Sequence, residues 1–408
     1  MSMRDERSSR QKRRRRRLRN QMLAYLALIV IIILILTAGY VGVKAVIRYI
    51  NNYNDKVNRV IEEAESGIIT EQESSVFDIQ EETSSIVYNE GYNSPAEDDP
   101  VENLVEKLLN DMTIEEMVAG MFIVSPEAIT NVETAVQASE GTKTALAENP
   151  VGGFVYAAKN FKSQEQFTQM LANAKAYSKY PLFRAVSAEC GTTEYGLAAT
   201  AKASELSDAD SAAQAYGSIS TALAAYGVDL MLMPLLPGDA ALTTAAVQAV
   251  QGAKVSVVLE SFPGDAAASK SLEELQGSEF ALYDAAVKSG VDCIMVSHLQ
   301  AKGITGDDTP ASLSAAVIQD TLRNTLGFHS VVMTDALNDS AITGAYSSAE
   351  AAVAAVQAGA DLLLSPEDYK EAYEGVLQAV SDGTITKERI RESMYRIYRV
   401  KYKNTLTE

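Results

Sequence analysis

From Val101 onward, short apolar runs alternate with longer stretches whose apolar residues recur every three to four positions. The short runs are Met121–Val124, Gly153–Tyr156, Leu182–Val186, Leu230–Met233, Val255–Leu259, Cys293–Val296, Ser330–Met333 and Leu362–Leu364. Near-continuous apolar runs of this length suit strands covered on both faces, as in a parallel sheet. The stretches between them carry a helical period: Ser163–Lys179, Asp210–Tyr226, Leu242–Ala253, Leu272–Ser289, Ala315–Leu326, Ser347–Ala358 and Glu367–Asp382, with Lys387–Tyr402 as a last helix. Eight strands with crossover helices predict an α/β chain with a (β/α)8 TIM-type barrel over residues 101–408.

The pattern before residue 101 is different. Leu23–Val43 is an uninterrupted run without a charge, rich in Ile, Leu and Val. A helix of that length spans a bilayer, which predicts a single transmembrane helix at 23–43. Residues 1–22 form a basic tail dominated by arginine, and such a tail keeps the N-terminus cytoplasmic and the barrel extracellular. Residues 44–100 read as a stalk followed by an acidic linker. From Glu62 to Asp99 there are twelve acids and no Lys or Arg, a composition that cannot bury a core.

Net charge sharpens this division. The chain carries −19 overall, with ten of its 35 basic residues inside the first 19 positions. The remainder is strongly acidic and repels a phosphate backbone, so nucleic acid is not an expected partner. Two cysteines, Cys190 and Cys293, make no disulfide framework and are expected as free thiols. Two histidines, His298 and His329, stand apart from any Cys/His cluster, so neither a metal site nor a cofactor is expected.

In such a barrel the chemistry sits where strands end. Those positions read Ser125, Ala157, Ser187-Ala188-Glu189, Pro234, Glu260-Ser261, Ser297-His298, Thr334-Asp335 and Ser365. Glu189, Glu260 and Asp335 are three acids that converge if the barrel closes. Paired carboxylates divide into acid and nucleophile when their surroundings separate their pKa values. His298 supplies a proton relay or holds a neighbouring loop. Asp335 is the candidate catalytic residue; Glu189, Glu260, Ser297 and His298 are the candidate substrate-binding residues.

Several segments resemble glycoside hydrolase family 3. They are Asp111–Met121, Pro150–Tyr156, Met295–His298, Pro310–Ser314, and Leu326-Gly327-Phe328 leading into Val332–Leu337, followed by Gln357–Asp361 and Lys387–Ile390. The likeness is to the single-barrel β-N-acetylglucosaminidase branch. It implies that Asp335 is the nucleophile and that a histidine paired with an aspartate, on the loop after the fifth strand, is the proton donor.

The chain departs from that pattern around the expected site. The family's Lys-His-Phe-Pro-Gly-His-Gly stands as Glu260-Ser261-Phe262-Pro263-Gly264-Asp265-Ala266. The loop that carries the acid–base group is cut to Asp265–Ser271. The family's Asp-x-Glu-Gly-Gly-Arg stands as Ser187-Ala188-Glu189-Cys190-Gly191-Thr192, and its Pro-x-x-Asp as Pro234-Leu235-Leu236-Pro237. These losses lead to the expectation of a catalytically impaired, membrane-anchored barrel that binds cell-wall glycan or a surface protein. The alternative is an active β-N-acetylhexosaminidase-type glycosidase with Asp335 as nucleophile and an altered acid/base, Glu260 or Asp265 taking that place if burial raises its pKa.

Overall fold

A computed structural model describes residues 99–236 and 239–404. The basic tail, the apolar 23–43 segment and the stalk and linker up to residue 98 lie outside the described residues. Among the described residues, no helix is long and apolar enough to cross a membrane.

Eight parallel strands close into a barrel in sequence order: β1 (Phe122–Val124), β2 (Gly153–Tyr156), β3 (Phe183–Ser187), β4 (Leu230–Met233), β5 (Ser256–Phe262), β6 (Cys293–Val296), β7 (Val331–Ala336) and β8 (Leu362–Leu364). Closure is made by β1 on β8, with Ile123 opposite Leu364. The predicted strands are all present, but β3 runs one residue further than the apolar pattern indicates, to Ser187, and β5 and β7 run three further. β5 continues three residues past Leu259, and β7 continues through Thr334 and Asp335 to Ala336.

Both extensions contain a register shift. Leu259 faces Ile294 and Phe262 faces Val296, so β5 carries one extra residue between them. Met333 faces Leu362 and Ala336 faces Leu364, so β7 does the same. These are β-bulges, which bend a strand and re-aim the side chains they contain. The extra residues fall at Glu260-Ser261 and Thr334-Asp335. Glu260 and Asp335 therefore stand inside bulged strand ends rather than on the loops beyond them.

Local signals explain the helical layer. Ile114–Gly120 starts on a capping box in which Thr113 and Glu116 exchange hydrogen bonds at 3.0 and 3.3 Å. Pro100–Asp111 starts on Pro100 in its first turn, with Asp99 accepting from the Val101 amide at 2.9 Å. Between β6 and β7 the expected α-helix is instead wound as a π-helix, Ala316–Thr325. There the Thr321 and Thr325 hydroxyls donate to carbonyls five residues back, Ala316 and Asp320, each at 2.8 Å.

The N-terminal end of the barrel is closed by acids that are all paired. Asp229, Asp292 and Asp361 each precede an even-numbered strand and follow a Gly-x step: Gly227-Val228-Asp229, Gly290-Val291-Asp292 and Gly359-Ala360-Asp361. Each carboxylate accepts a backbone N–H from the preceding strand, from Arg184 (2.6 Å), Val257 (3.1 Å) and Val332 (3.0 Å). Gly359 has φ of 112°, a turn that L side chains resist. Asp229 also pairs with Arg184 and Asp292 with Lys403. Fully buried Asp361 meets Arg323 at 2.7 Å, Arg396 at 3.1 Å and Arg389 at 3.4 Å. Burial alone raises its pKa, but the arginines, led by Arg323, hold the carboxyl well below the usual range.

Candidate active site

The opposite, C-terminal end of the barrel carries the candidate site. Asp335 is partly buried in the β7 bulge, and its Oδ1 accepts from the amide of Ala336 at 2.7 Å. The neighbouring Thr334 is fully buried and accepts the Leu364 amide at 3.1 Å, fastening the bulge to β8. The next residues continue the seam, with Leu337 N donating to Leu364 O at 2.8 Å.

His298 follows β6 and is buried. Its Nε2 lies 2.9 Å from the carbonyl of Ala336, which can only accept, so Nε2 carries the hydrogen. Its Nδ1 lies 2.7 Å from the hydroxyl of Ser312, which donates to it in the neutral ring. Both nitrogens are thus engaged within the protein, and one grips the residue next to Asp335. This arrangement makes His298 a support for the β7 end. Ser297 is similarly tied: its amide and its hydroxyl both donate to Phe262 O, at 2.8 and 3.2 Å, joining the ends of β5 and β6.

Glu260 sits partly buried in the β5 bulge. Its carboxyl is pushed up to about 7, first by burial and then by the negative charges of Asp335 and Glu189. Among the described residues, the charges acting on it are the acidic ones of Asp335 and Glu189. The closed barrel sets the three acids at one mouth, Glu189 just past β3, Glu260 in the end of β5 and Asp335 in the end of β7. Glu189 is exposed on the loop after β3. The Tyr283 phenol donates to the Glu260 carbonyl at 3.4 Å. Ser261, the next residue, has φ of 76°, a left-handed conformation that is strained for serine and recurs where function demands it.

Cys190 and Cys293 are free and buried, and burial raises both thiols. Among the described residues, no group of three His, Cys, Asp or Glu side chains comes together in a way that holds a metal ion. The mouth therefore offers carboxyl chemistry: a strand-end carboxylate and, across β6 from it, a carboxyl that keeps its proton near neutrality. Sequence reasoning found the acids but missed their setting. The bulges leave no mark on hydropathy, whereas the Gly-x-Asp triplets are spelled out in the sequence and signal the paired end.

Residues 239–400 match the model of the glycosyl hydrolase family 3 N-terminal domain. The chain is 27% identical over 274 residues to a β-hexosaminidase of Xanthomonas axonopodis pv. citri, covering 57% of this chain and 81% of that protein. It is 26% identical over 175 residues to a β-N-acetylglucosaminidase/β-glucosidase of Cellulomonas fimi, covering 38% of this chain and spanning only 31% of the relative's length. Among solved structures, a family 3 β-N-acetylglucosaminidase from Paenibacillus sp. superposes with a TM-score of 0.67 at 27% identity, over 73% of this chain and 64% of that one. The closed barrel, the aspartate at the end of β7 and these likenesses point the same way: residues 239–400 are similar to the family 3 N-terminal domain, and the chain is similar to a β-hexosaminidase and to a family 3 β-N-acetylglucosaminidase.

Proposed function

We propose that the barrel is a retaining glycosidase of the β-N-acetylhexosaminidase type, with Asp335 as its nucleophile. The observation that carries this reading is the setting of Asp335. It stands in a bulge at the C-terminal mouth, where barrels of this kind keep their chemistry, and the residues on either side of it are held, Thr334 by Leu364 of β8 and Ala336 by His298 just after β6. In a retaining reaction its carboxylate attacks the anomeric carbon and the leaving oxygen departs protonated; water then releases the sugar. The names carried by the Xanthomonas and Paenibacillus relatives support an N-acetylglucosaminide as substrate. On this reading residues 23–43 anchor the chain and hold the barrel outside the membrane, against cell-wall glycan.

The test is hydrolysis of a chromogenic N-acetyl-β-glucosaminide by the purified full-length chain. The wild type should release the chromophore, and Asp335→Asn should reduce the rate to background while leaving the thermal unfolding midpoint in place. An inactive wild type removes this reading.

A second reading is a barrel that binds glycan or protein without hydrolysing it. It is favoured by Ser187, Thr192 and Ser261, which stand where the resemblance places the family's sugar-gripping Asp, Arg and His. The same assay decides: calorimetric binding of N-acetylglucosamine oligosaccharides by an inactive wild type, unchanged in Asp335→Asn, supports it.

A further inference from the structure

We propose that Glu260 is the general acid–base of this barrel, replacing the histidine-bearing loop that the chain lacks. The inference rests on the glycosidase reading above and names the residue that reading leaves open. Its basis is geometric. Glu260 and Asp335 occupy the two bulges of the barrel, on β5 and β7, with β6 between them. Two strand spacings separate their backbones by about 10 Å. An aspartate and a glutamate leaning into the mouth can narrow such a gap to the carboxyl separation of a retaining pair, about 5–5.5 Å. Both residues stand at the C-terminal mouth of the closed barrel, at the ends of β5 and β7.

Protonation follows the same division. Glu260 keeps its proton near pH 7, because it is buried and both nearby charges are negative. A proton donor needs that property while the nucleophile is ionised. Among the described residues, the charges acting on Glu260 come from Asp335 of β7 and Glu189 on the loop after β3, and the Tyr283 phenol donates to its backbone carbonyl. Tyr283 itself is raised by burial and by Asp265, so it stays neutral and contributes no charge. His298 lies beyond β6 with its ring nitrogens already bonded to Ser312 and Ala336.

The steps balance. As the Asp335 oxygen bonds to the anomeric carbon, the glycosidic C–O bond breaks and Glu260 transfers its proton to the leaving oxygen. Glu260, now a carboxylate, takes a proton from water as that water attacks the anomeric carbon. Asp335 leaves as a carboxylate, and Glu260 is protonated again. The shortened Asp265–Ser271 loop then carries no part of the chemistry.

The test uses the full-length chain with Glu260→Ala and its isostere Glu260→Gln, each checked for folding by thermal melt. On an unactivated disaccharide, kcat/KM should fall about 10²–10⁴-fold. On a dinitrophenyl N-acetyl-β-glucosaminide, whose leaving group needs no proton, kcat/KM should stay within about tenfold of wild type. Added azide should accelerate turnover of Glu260→Ala and yield the β-glycosyl azide, because azide attacks without a general base. Equal losses on both substrates, no loss on either, or no azide product overturns the assignment. A wild type inactive on both substrates overturns the glycosidase reading itself, whereas an active wild type with an unaffected Glu260→Ala overturns this inference alone.

Discussion

The two ends of the barrel treat acids in opposite ways. At the N-terminal end, Asp229, Asp292 and Asp361 each meet a basic side chain and a backbone N–H. At the C-terminal end, Glu260 meets the negative charges of Asp335 and Glu189. The first arrangement fixes neighbouring strands and contributes stability. The second leaves a buried carboxyl in the company of like charges, which costs stability and creates reactivity. On the proposed reading, pairing charge at one end and leaving it unbalanced at the other separates folding from chemistry.

The largest effect should come from breaking the paired end. Asp361→Asn leaves Arg323, Arg389 and Arg396 without their shared carboxylate. Removing one partner of a buried ion pair costs about 3–5 kcal/mol, to be read from denaturant melts. The carboxyl is depressed in the folded state, so its contribution is fully present above the ordinary aspartate pKa of 3.8 and fades as pH falls below it. Asp361→Asn should therefore differ from wild type most at neutral pH and least in strong acid.

The unpaired end should respond with the opposite sign. Glu260 titrates near 4.5 in an unfolded chain and near 7 here, so the folded state holds the extra proton between those values. Stability is lost as pH rises through that window. Glu260→Gln removes the cost and should stabilise the protein by about 1–3 kcal/mol at pH 8. The gain should vanish as pH approaches 4.5. A destabilised Glu260→Gln at pH 8 would show that the carboxylate has a cationic partner after all.

His298→Ala probes the support under Asp335. Losing its bonds to Ser312 and Ala336 should cost about 1–3 kcal/mol and lower kcat more than it raises KM, because the nucleophile is displaced rather than the sugar released. The smallest effect belongs to a pair at neither end. Lys143→Ala breaks an exposed 3.4 Å contact with Glu140 and should change stability by under about 0.5 kcal/mol.

Much of the barrel was legible in the sequence. Runs such as Leu230–Met233 and Cys293–Val296 mark buried strands, since a strand covered on both faces must be apolar at every position. The ends were not legible in the same way. Glu260 and Asp335 are polar, so the hydropathy pattern stops before them, yet pairing carries β5 and β7 past them through one-residue bulges. The acids of the mouth stand at positions 189, 260 and 335, and only closure of the barrel brings them together. For His298 the sequence left a proton relay and a loop support open; its partners Ser312 and Ala336, which make it a support, come from other segments and were not legible. The likeness to family 3 located Asp335 and the missing acid–base loop. It placed Glu260 where the family resemblance puts a lysine and left Glu260 and Asp265 open as the altered acid/base; the burial of Glu260 and the acids around it became visible only in the closed barrel.

The most direct test of the contrast is an NMR titration of the Glu260 carboxyl carbon in the wild type and in Asp335→Asn. The account predicts a midpoint near 7 in the wild type that falls when Asp335 loses its charge. A midpoint near 4.5, unmoved by Asp335→Asn, would contradict it.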